Sequence, residues 1–243
     1  MAAPYAIDPG LDPSRLAPVF ARAGRLHLPG ILRPGDAAAV HRALTGPAPW
    51  VKSVRAGGDG GDVPLADWEA MTPERRADWE AMLIAGAARD LQFQFDSWRI
   101  SDMVERGERR GGALAAAEAV YDFLNSETFL GFVRTLTGDP RCAYCDAQAT
   151  RYRRGDFLAL HHDEMPGMNR LYAYVLNLTP AWLTDWGGTL VFVDEDGHVA
   201  EGYTPAFNAL NIFRVPAPHA VTQVASYAGA DRLAITGWVR ARR

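Results

Sequence analysis

The sequence predicts a mainly β protein with α-helices, in which a jelly roll or β-sandwich is buttressed by N-terminal helices. Two observations lead to this fold class. From residue 141 onward the chain is a run of short strand-like segments separated by Gly, Pro and Asp, a pattern typical of jelly rolls and sandwiches. The chain before residue 141 instead carries repeated helix start and stop signals.

Length and composition favour one folded domain spanning residues 1–243, with 1–140 as a helix-rich buttress and 141–243 as the barrel portion. Hydrophobic residues make up 48% and charged residues 22%, an ordinary globular composition. The net charge of -4 argues against a direct nucleic-acid partner, which would need a basic surface. The chain has neither a leader-like N-terminus nor an apolar run long enough to cross a bilayer, so we expect a cytoplasmic protein without membrane contact.

Helix boundaries in this N-terminal part can be predicted from capping residues. Asp12 and Pro13 form an N-cap followed by proline at the first helical position, and Gly24 ends that helix after Ala23. Similar signals predict further helices over Pro34–Ala43, Thr72–Arg89, Gly111–Leu124 and Ser126–Leu136.

Strands are predicted where apolar residues alternate or cluster between turn residues. Two of them, Leu26–Leu32 and Leu91–Phe95, lie among the helices. The glycine-rich segment Gly57–Asp62 between them is predicted to be a flexible loop. The remaining strands are predicted at Cys142–Tyr152, Leu158–His162, Leu171–Leu178, Thr189–Phe192, Ala209–Arg214, His219–Val224 and Arg232–Val239.

The two cysteines lie close together in the first of these late strands. Cys142 and Cys145 have no further pair of thiolates with which to complete a zinc site, and they do not open a helix as a redox pair would. We therefore expect both to be reduced thiols with a structural role.

A pair of metal-ligand residues ends the strand predicted around residue 160. Residues i and i+2 of a strand point to the same side, so His161 and Asp163 converge while His162 faces away. His-x-Asp alone is a weak signal and needs a third ligand, for which His219, well separated in the chain and on its own predicted strand, is the best candidate. Two imidazoles and one carboxylate on one face of Fe(II) leave positions for a bidentate 2-oxo acid and for O2.

A candidate partner for the co-substrate lies a short way beyond His219 in the chain. After His219, one strand and a turn would return the chain towards the metal at Arg232. There the planar guanidinium of Arg232 could pair with the distal carboxylate of 2-oxoglutarate. Alternation places Arg232, Ala234 and Thr236 on one face of their strand. Taken alone, Arg232 could equally be a surface arginine, and only the joint pattern with the three metal ligands distinguishes it.

The segment from Tyr152 to Trp238 resembles the 2-oxoglutarate- and Fe(II)-dependent oxygenases of the prolyl-hydroxylase-like branch. It is most similar to the group related to prolyl 3-hydroxylases that act on a ribosomal protein. The shared features are Tyr152 ahead of His161, Gly155–Leu158 ahead of His161-x-Asp163, Trp186–Thr189, Phe213-x-Val215 before His219, and Arg232–Trp238.

The resemblance implies a double-stranded β-helix fold and an Fe(II)- and 2-oxoglutarate-dependent dioxygenase that uses O2, with ascorbate as a reductant. It implies that Tyr152 assists Arg232 in binding 2-oxoglutarate. Where related prolyl hydroxylases carry a second tyrosine near the co-substrate, this sequence has Asn177, so we expect Asn177 to contact 2-oxoglutarate instead.

The substrate implied by the resemblance is a prolyl residue in a protein or peptide. A free amino acid or another small metabolite is the alternative within the same reaction class. A non-catalytic cupin-like module that binds a metal or ligand is an alternative of another class, although such a module has no need for Arg232. A zinc hydrolase using the same three ligands would lack an identifiable general base near His161.

Overall fold

A computed structural model describes residues 4–242. In this range thirteen strands join one curved antiparallel sheet, and seven α-helices flank it. The helices are Pro13–Ala23 (α1), Pro34–Thr45 (α2), Leu65–Glu69 (α3), Pro73–Ala87 (α4), Ile100–Glu105 (α5), Ala115–Leu124 (α6) and Glu127–Thr137 (α7). The strands are Arg25–Pro29 (β1), Val51–Ala56 (β2), Asp59–Pro64 (β3), Phe93–Trp98 (β4), Tyr144–Cys145 (β5), Gln148–Tyr152 (β6), Phe157–His161 (β7), Arg170–Asn177 (β8), Leu190–Val193 (β9), Val199–Tyr203 (β10), Ala209–Arg214 (β11), His219–Val221 (β12) and Arg232–Arg240 (β13).

The sheet folds over on itself into two facing walls. The larger wall has the order β1-β11-β8-β13-β6-β4, and the smaller wall continues as β7-β12-β9-β10. Strand β4 joins the walls, because Asp96–Trp98 pair with β6 while Phe93 and Gln94 pair with β7. At the opposite edge the Arg25 guanidinium of β1 pairs with Glu201 of β10. The result is a nearly closed barrel with its interior between the walls.

The chain before residue 141 builds part of this barrel as well as its helical support. It supplies β1, β2, β3 and β4, so the predicted division at residue 140 does not coincide with a break in the sheet. The prediction of a flexible loop at Gly57–Asp62 is wrong. Gly57 and Gly58 form the turn of a hairpin, and Asp59–Pro64 pair along their length with β2.

Helices α1, α2, α5, α6 and α7 cover the outer face of the larger wall, whereas α3 and α4 pack on the β2–β3 hairpin. Helix α1 packs on α7 and α2 packs on α6, and their apolar faces form one core with the outward side chains of the strands. Asp12 caps α1 by accepting the Ser14 backbone N–H at 2.9 Å, as the sequence predicts. Gly24 and Gly138 end α1 and α7 in the left-handed conformation, which glycine adopts without steric penalty.

Most predicted elements are found within a few residues of their predicted ends. The predicted strand Cys142–Tyr152 is interrupted and forms β5 and β6, and its two cysteines are free and buried. Burial raises the pKa of the Cys142 thiol to about 11, which keeps it protonated and unreactive. Strand β10 escapes prediction because its largely exposed residues Val199–Tyr203 lack an apolar alternation. Within residues 4–242, no helix combines the length and the apolar character needed to span a membrane.

Candidate metal centre

Two histidines lie side by side on neighbouring strands of the smaller wall. In the β7–β12 pair His219 lies directly opposite His161, and their ring centroids are 4.2 Å apart. The next paired positions are Val221 and Leu158, so β7 contains one extra residue just before His161. This β-bulge lets both Leu158 and His161 face the barrel interior. The local irregularity therefore contributes to the convergence of the two imidazoles.

The carboxylate of Asp163 lies between the two imidazoles. Its Oδ1 is 3.6 Å from His161 Nε2, and its Oδ2 is 3.5 Å from His219 Nε2. One ligand atom from each of the three side chains lies within 4.8 Å of the others. The chain thus brings together the three residues that the sequence singled out as metal ligands.

Backbone hydrogen bonds orient both imidazoles for metal binding. His161 Nδ1 contacts the Ala159 carbonyl oxygen at 2.9 Å, and His219 Nδ1 contacts the Ala217 carbonyl oxygen at 2.8 Å. A carbonyl oxygen can only accept, so each Nδ1 carries the proton and each Nε2 keeps its lone pair. Metal-binding histidines are commonly fixed in this way, and two such nitrogens with one carboxylate suit Fe(II).

The electrostatics of Asp163 and His219 favour the forms in which they bind a metal. Burial raises the pKa of Asp163, but its interactions with the neighbouring His161 and His219 outweigh burial, so its pKa is lowered overall. Burial and the neighbouring His161 lower the pKa of His219. Near neutral pH the centre therefore presents a carboxylate and an unprotonated His219.

Arg232 lies inside the barrel with no acidic partner among the described residues. It is 1% exposed, it forms no salt bridge in that part of the chain, and its Nε has no hydrogen-bond acceptor there. Its guanidinium carbon lies 5.0 Å from the centroid of the Tyr152 ring. Burial lowers its pKa from the usual value, but an arginine stays protonated. A buried cation without a counter-ion is costly, and its location suits a carboxylate ligand.

Two glycines that precede β9 shape the wall beside Arg232. A Cβ on Gly188 would lie 3.1 Å from Arg232 Cδ and 3.1 Å from the Trp182 ring. A Cβ on Gly187 would lie 2.0 Å from the Gln223 carbonyl oxygen, closer than any side chain tolerates. Both glycines have positive φ angles, 68° and 62°. The Gly-Gly pair therefore shapes the wall that encloses the arginine.

Tyr152 and Asn177 differ in their relation to the cavity. Tyr152 lines the cavity beside Arg232, stacks on Phe95 with ring centroids 5.0 Å apart, and has a pKa raised by burial. Asn177 is buried opposite Ala234 of β13 but is not itself a lining residue of the cavity, and its Nδ2 donates to the Ala209 carbonyl oxygen. Within residues 4–242 the Asn177 Oδ1 has no hydrogen-bond partner. The Asn177 Oδ1 can thus accept a hydrogen bond from a donor, whereas the Arg232 guanidinium is suited to an anionic ligand.

The cavity that holds these groups has a volume of about 280 Å³ and a largely apolar lining. Sequence reasoning missed Arg170 as one of its lining residues. Arg170 begins β8, where its guanidinium carbon lies 3.5 Å from the centroid of the Trp238 ring and its Nη1 donates to the Asp163 carbonyl oxygen at 3.0 Å. No local sequence pattern identifies Arg170 as a cavity residue, because Trp238 and Asp163, which it contacts, lie elsewhere in the chain.

Comparison with protein families identifies the segment that carries these residues. Residues 147–240 match the 2OG-Fe(II) oxygenase superfamily. Over 119 residues the chain is 33% identical to mouse prolyl 3-hydroxylase OGFOD1, covering 46% of this chain and 21% of the mouse protein. The same protein from Xenopus laevis is 33% identical over 119 residues, covering 46% of this chain and 23% of that protein. The matched region thus spans about a fifth of each relative.

Solved structures share the fold along nearly the whole chain. A Pseudomonas putida prolyl-4-hydroxylase has a TM-score of 0.58 and 21% identity, covering 96% of this chain and 100% of that one. A Trichoplax adhaerens prolyl hydroxylase, solved with a hypoxia inducible factor peptide fragment, has a TM-score of 0.59 and 16% identity, covering 94% and 89%. The predicted double-stranded β-helix and the resemblance to prolyl-hydroxylase-like oxygenases are confirmed.

Proposed function

Given the match of residues 147–240 to the 2OG-Fe(II) oxygenase superfamily, we propose that this chain is an Fe(II)- and 2-oxoglutarate-dependent dioxygenase that hydroxylates a prolyl residue in a protein. The observation that carries the proposal is the pairing of a His-Asp-His centre with a buried, unpaired arginine in one cavity of the described chain. When bound, Fe(II), 2-oxoglutarate and O2 supply the oxidising chemistry that hydroxylates a C–H bond and releases succinate and CO2.

The protein's own contribution is to hold and orient the reactants. His161, Asp163 and His219 are the proposed metal ligands, and the Nδ1 hydrogen bonds fix the direction of both imidazoles. Arg232 is the proposed partner of the distal carboxylate of 2-oxoglutarate, with Tyr152 forming the wall beside it and Asn177 a secondary contact. The apolar lining excludes water, which strengthens the attraction between the guanidinium and that carboxylate.

Protein prolyl hydroxylation is the substrate assignment supported by the relatives. OGFOD1 is a prolyl 3-hydroxylase, and one structural neighbour was solved with a peptide fragment. We expect the chain to convert a proline-containing peptide to a product heavier by one oxygen atom. Incubating it with Fe(II), 2-oxoglutarate and paired peptides that differ only in Pro→Ala would test this by mass spectrometry. Oxidation of free amino acids alone would contradict the protein-substrate assignment.

The metal ligands can be tested separately from the substrate. We expect His161→Ala, Asp163→Ala and His219→Ala to weaken Mn(II) binding by more than about 100-fold, because even outer-shell changes cost ~10–100-fold. Each change should also abolish succinate formation from 2-oxoglutarate. Isothermal titration with Mn(II) measures the first effect, with His198→Ala as a control because His198 is exposed and does not belong to the His-Asp-His group. Wild-type affinity in any of the three variants would refute that residue as a ligand.

A further inference from the structure

Asp146 lies between β5 and β6, against the strand that carries Arg232. Its backbone passes so close to Gly237 that a Cβ there would lie 2.2 Å from the Asp146 carbonyl oxygen. Gly237 is therefore required by the approach of Asp146 and not by a turn, since its strand β13 continues on both sides. This contact places the Asp146 carboxylate beside the residues of β13 that follow Gly237.

The Asp146 carboxylate holds two successive parts of β13. Its Oδ1 accepts the Trp238 backbone N–H at 2.6 Å, and its Oδ2 accepts Arg240 Nη1 at 3.1 Å. The Asp146 side chain is 23% exposed, so these hydrogen bonds are partly shielded from solvent. Together they fix the backbone position from which the Trp238 side chain projects into the cavity.

Trp238 in turn provides the surface on which Arg170 lies. The Arg170 guanidinium carbon is 3.5 Å from the Trp238 ring centroid, and its Nε is buried without an acceptor in the described range. Arg170 and Arg240 are direct partners in the β8–β13 register, an arrangement in which like charges repel. Asp146 offsets this repulsion because its carboxylate binds Arg240 on the same sheet.

The last link joins Arg170 to a proposed metal ligand. Arg170 Nη1 donates to the backbone carbonyl oxygen of Asp163 at 3.0 Å. Asp163 follows the end of β7, beyond the pairing of His161 with His219. The Arg170 contact therefore restrains the segment that sets the direction of the Asp163 carboxylate.

We propose that Asp146 is a positioning residue for the metal centre, acting through Trp238 and Arg170 on Asp163. The proposal rests on the proposed function, because it takes Asp163 as a metal ligand. Removing Asp146 leaves the three ligands in place but loosens the arginine that orients one of them. The consequence is weaker metal binding in the absence of any substrate.

Metal affinity in a double-mutant cycle provides the test. We expect Asp146→Asn and Arg170→Ala each to weaken Mn(II) binding to the chain by roughly 10-fold, as outer-shell changes typically do. The double variant should bind Mn(II) no more weakly than Arg170→Ala alone, because Asp146 acts through Arg170. A role confined to general stability would instead lower the melting temperature and leave Mn(II) affinity unchanged.

A second variant and a control separate the alternatives. Arg170→Lys keeps the charge but lacks the planar face that lies on Trp238, so it should show a similar loss even if Asp146→Asn folds poorly. Asp139→Asn is the control, because Asp139 is a partly buried acid paired with Arg141 outside the chain of contacts.

Three results would overturn the proposal. They are wild-type affinity in Asp146→Asn, wild-type affinity in Arg170→Lys, and additive losses in the double variant. An unmodified chain that binds no Mn(II) would refute the proposed function itself, and the role of Asp146 with it.

Discussion

At the scale of one residue, Arg232 shows how a group placed for ligand binding can lower the stability of the ligand-free protein. The guanidinium is fully inside the barrel, where it lies beside the Tyr152 ring and the wall at Gly188. A stable core would pair or replace such a cation, since an unsatisfied buried polar group costs about 1–3 kcal/mol and a charge costs more. The ligand-free protein bears this cost, and an anionic co-substrate would relieve it.

Replacing Arg232 with methionine should therefore have opposite effects on stability and on binding. We expect Arg232→Met to raise the free energy of unfolding of the ligand-free chain by roughly 1–3 kcal/mol, because it removes an unpaired buried charge at similar volume. The same change should abolish the rise in melting temperature that 2-oxoglutarate produces with Mn(II) present. Thermal unfolding with and without 2-oxoglutarate measures both effects. A less stable ligand-free variant would show that the arginine is satisfied within the protein.

At the scale of elements, the β2–β3 hairpin shows how side chains can stabilise a glycine-rich segment. Asp62 of β3 accepts a hydrogen bond from Ser53 of β2 at 2.6 Å and another from Arg99 Nε at 2.9 Å. Ser53 in turn contacts Ser97 of β4 at 2.7 Å. These contacts tie the hairpin to the larger wall. Burial raises the pKa of Asp62, but the hydrogen bonds from Arg99 and Ser53 outweigh it, so the pKa is lowered overall.

The lowered pKa of Asp62 predicts a pH-dependent contribution to stability. A carboxylate whose pKa is lower in the folded than in the unfolded state stabilises the fold above its unfolded pKa, near 4. That contribution is lost as the pH falls through the folded pKa. We therefore expect Asp62→Asn to be less stable than the wild type at pH 7 and to approach wild-type stability at pH 3 or below. Urea unfolding at several pH values measures the difference, and a constant difference would contradict the assignment.

At the scale of the whole molecule, one buried ion cluster joins both parts of the chain. Lys52, the single lysine of the sequence, is 2% exposed and lies 3.0 Å from carboxylate oxygens of both Asp96 and Asp156. Asp156 directly precedes β7, and its carbonyl oxygen accepts the backbone N–H of Val224 beyond β12. The cluster thus connects β2 and β4 to the strands that carry the two histidines. Since the N-terminal part and the barrel portion share one sheet, we expect them to unfold together.

Removing the Lys52 charge should weaken the entire molecule. We expect Lys52→Met to lower the free energy of unfolding by roughly 3–5 kcal/mol, because it leaves the buried Asp156 carboxylate without a cation. Asp96 keeps its ion pairs with Arg151 and Arg153. The loss should appear as a shift of a single cooperative urea transition with unchanged slope. Arg106→Met is the control, since its exposed pair with Glu108 is worth at most about 1 kcal/mol. Two separate transitions in the wild type would refute the single-domain prediction.

Much of the fold and of the candidate site can be predicted from this sequence because the signals are local. Asp12, Pro13 and Gly24 mark the first helix by their own backbone preferences. His161 and Asp163 lie two positions apart, so strand geometry alone indicates a shared side. Among the strands that were not predicted, β3 and β10 are exposed segments whose pairing depends on neighbouring strands rather than on an apolar pattern of their own.

The sequence by itself determined the β-rich fold class, the helix ends and the residue types of an oxygenase-like centre, because these depend on short-range periodicity, capping and motif spacing. Tertiary structure alone decided that His219 faces His161 directly, that a bulge in β7 helps to aim the first histidine, and that Arg232 is buried without an acidic partner in the described chain. It also decided the contact between Asp146 and Gly237. The physical reason is that register, burial and close approach arise between strands far apart in the chain, where no local pattern records them.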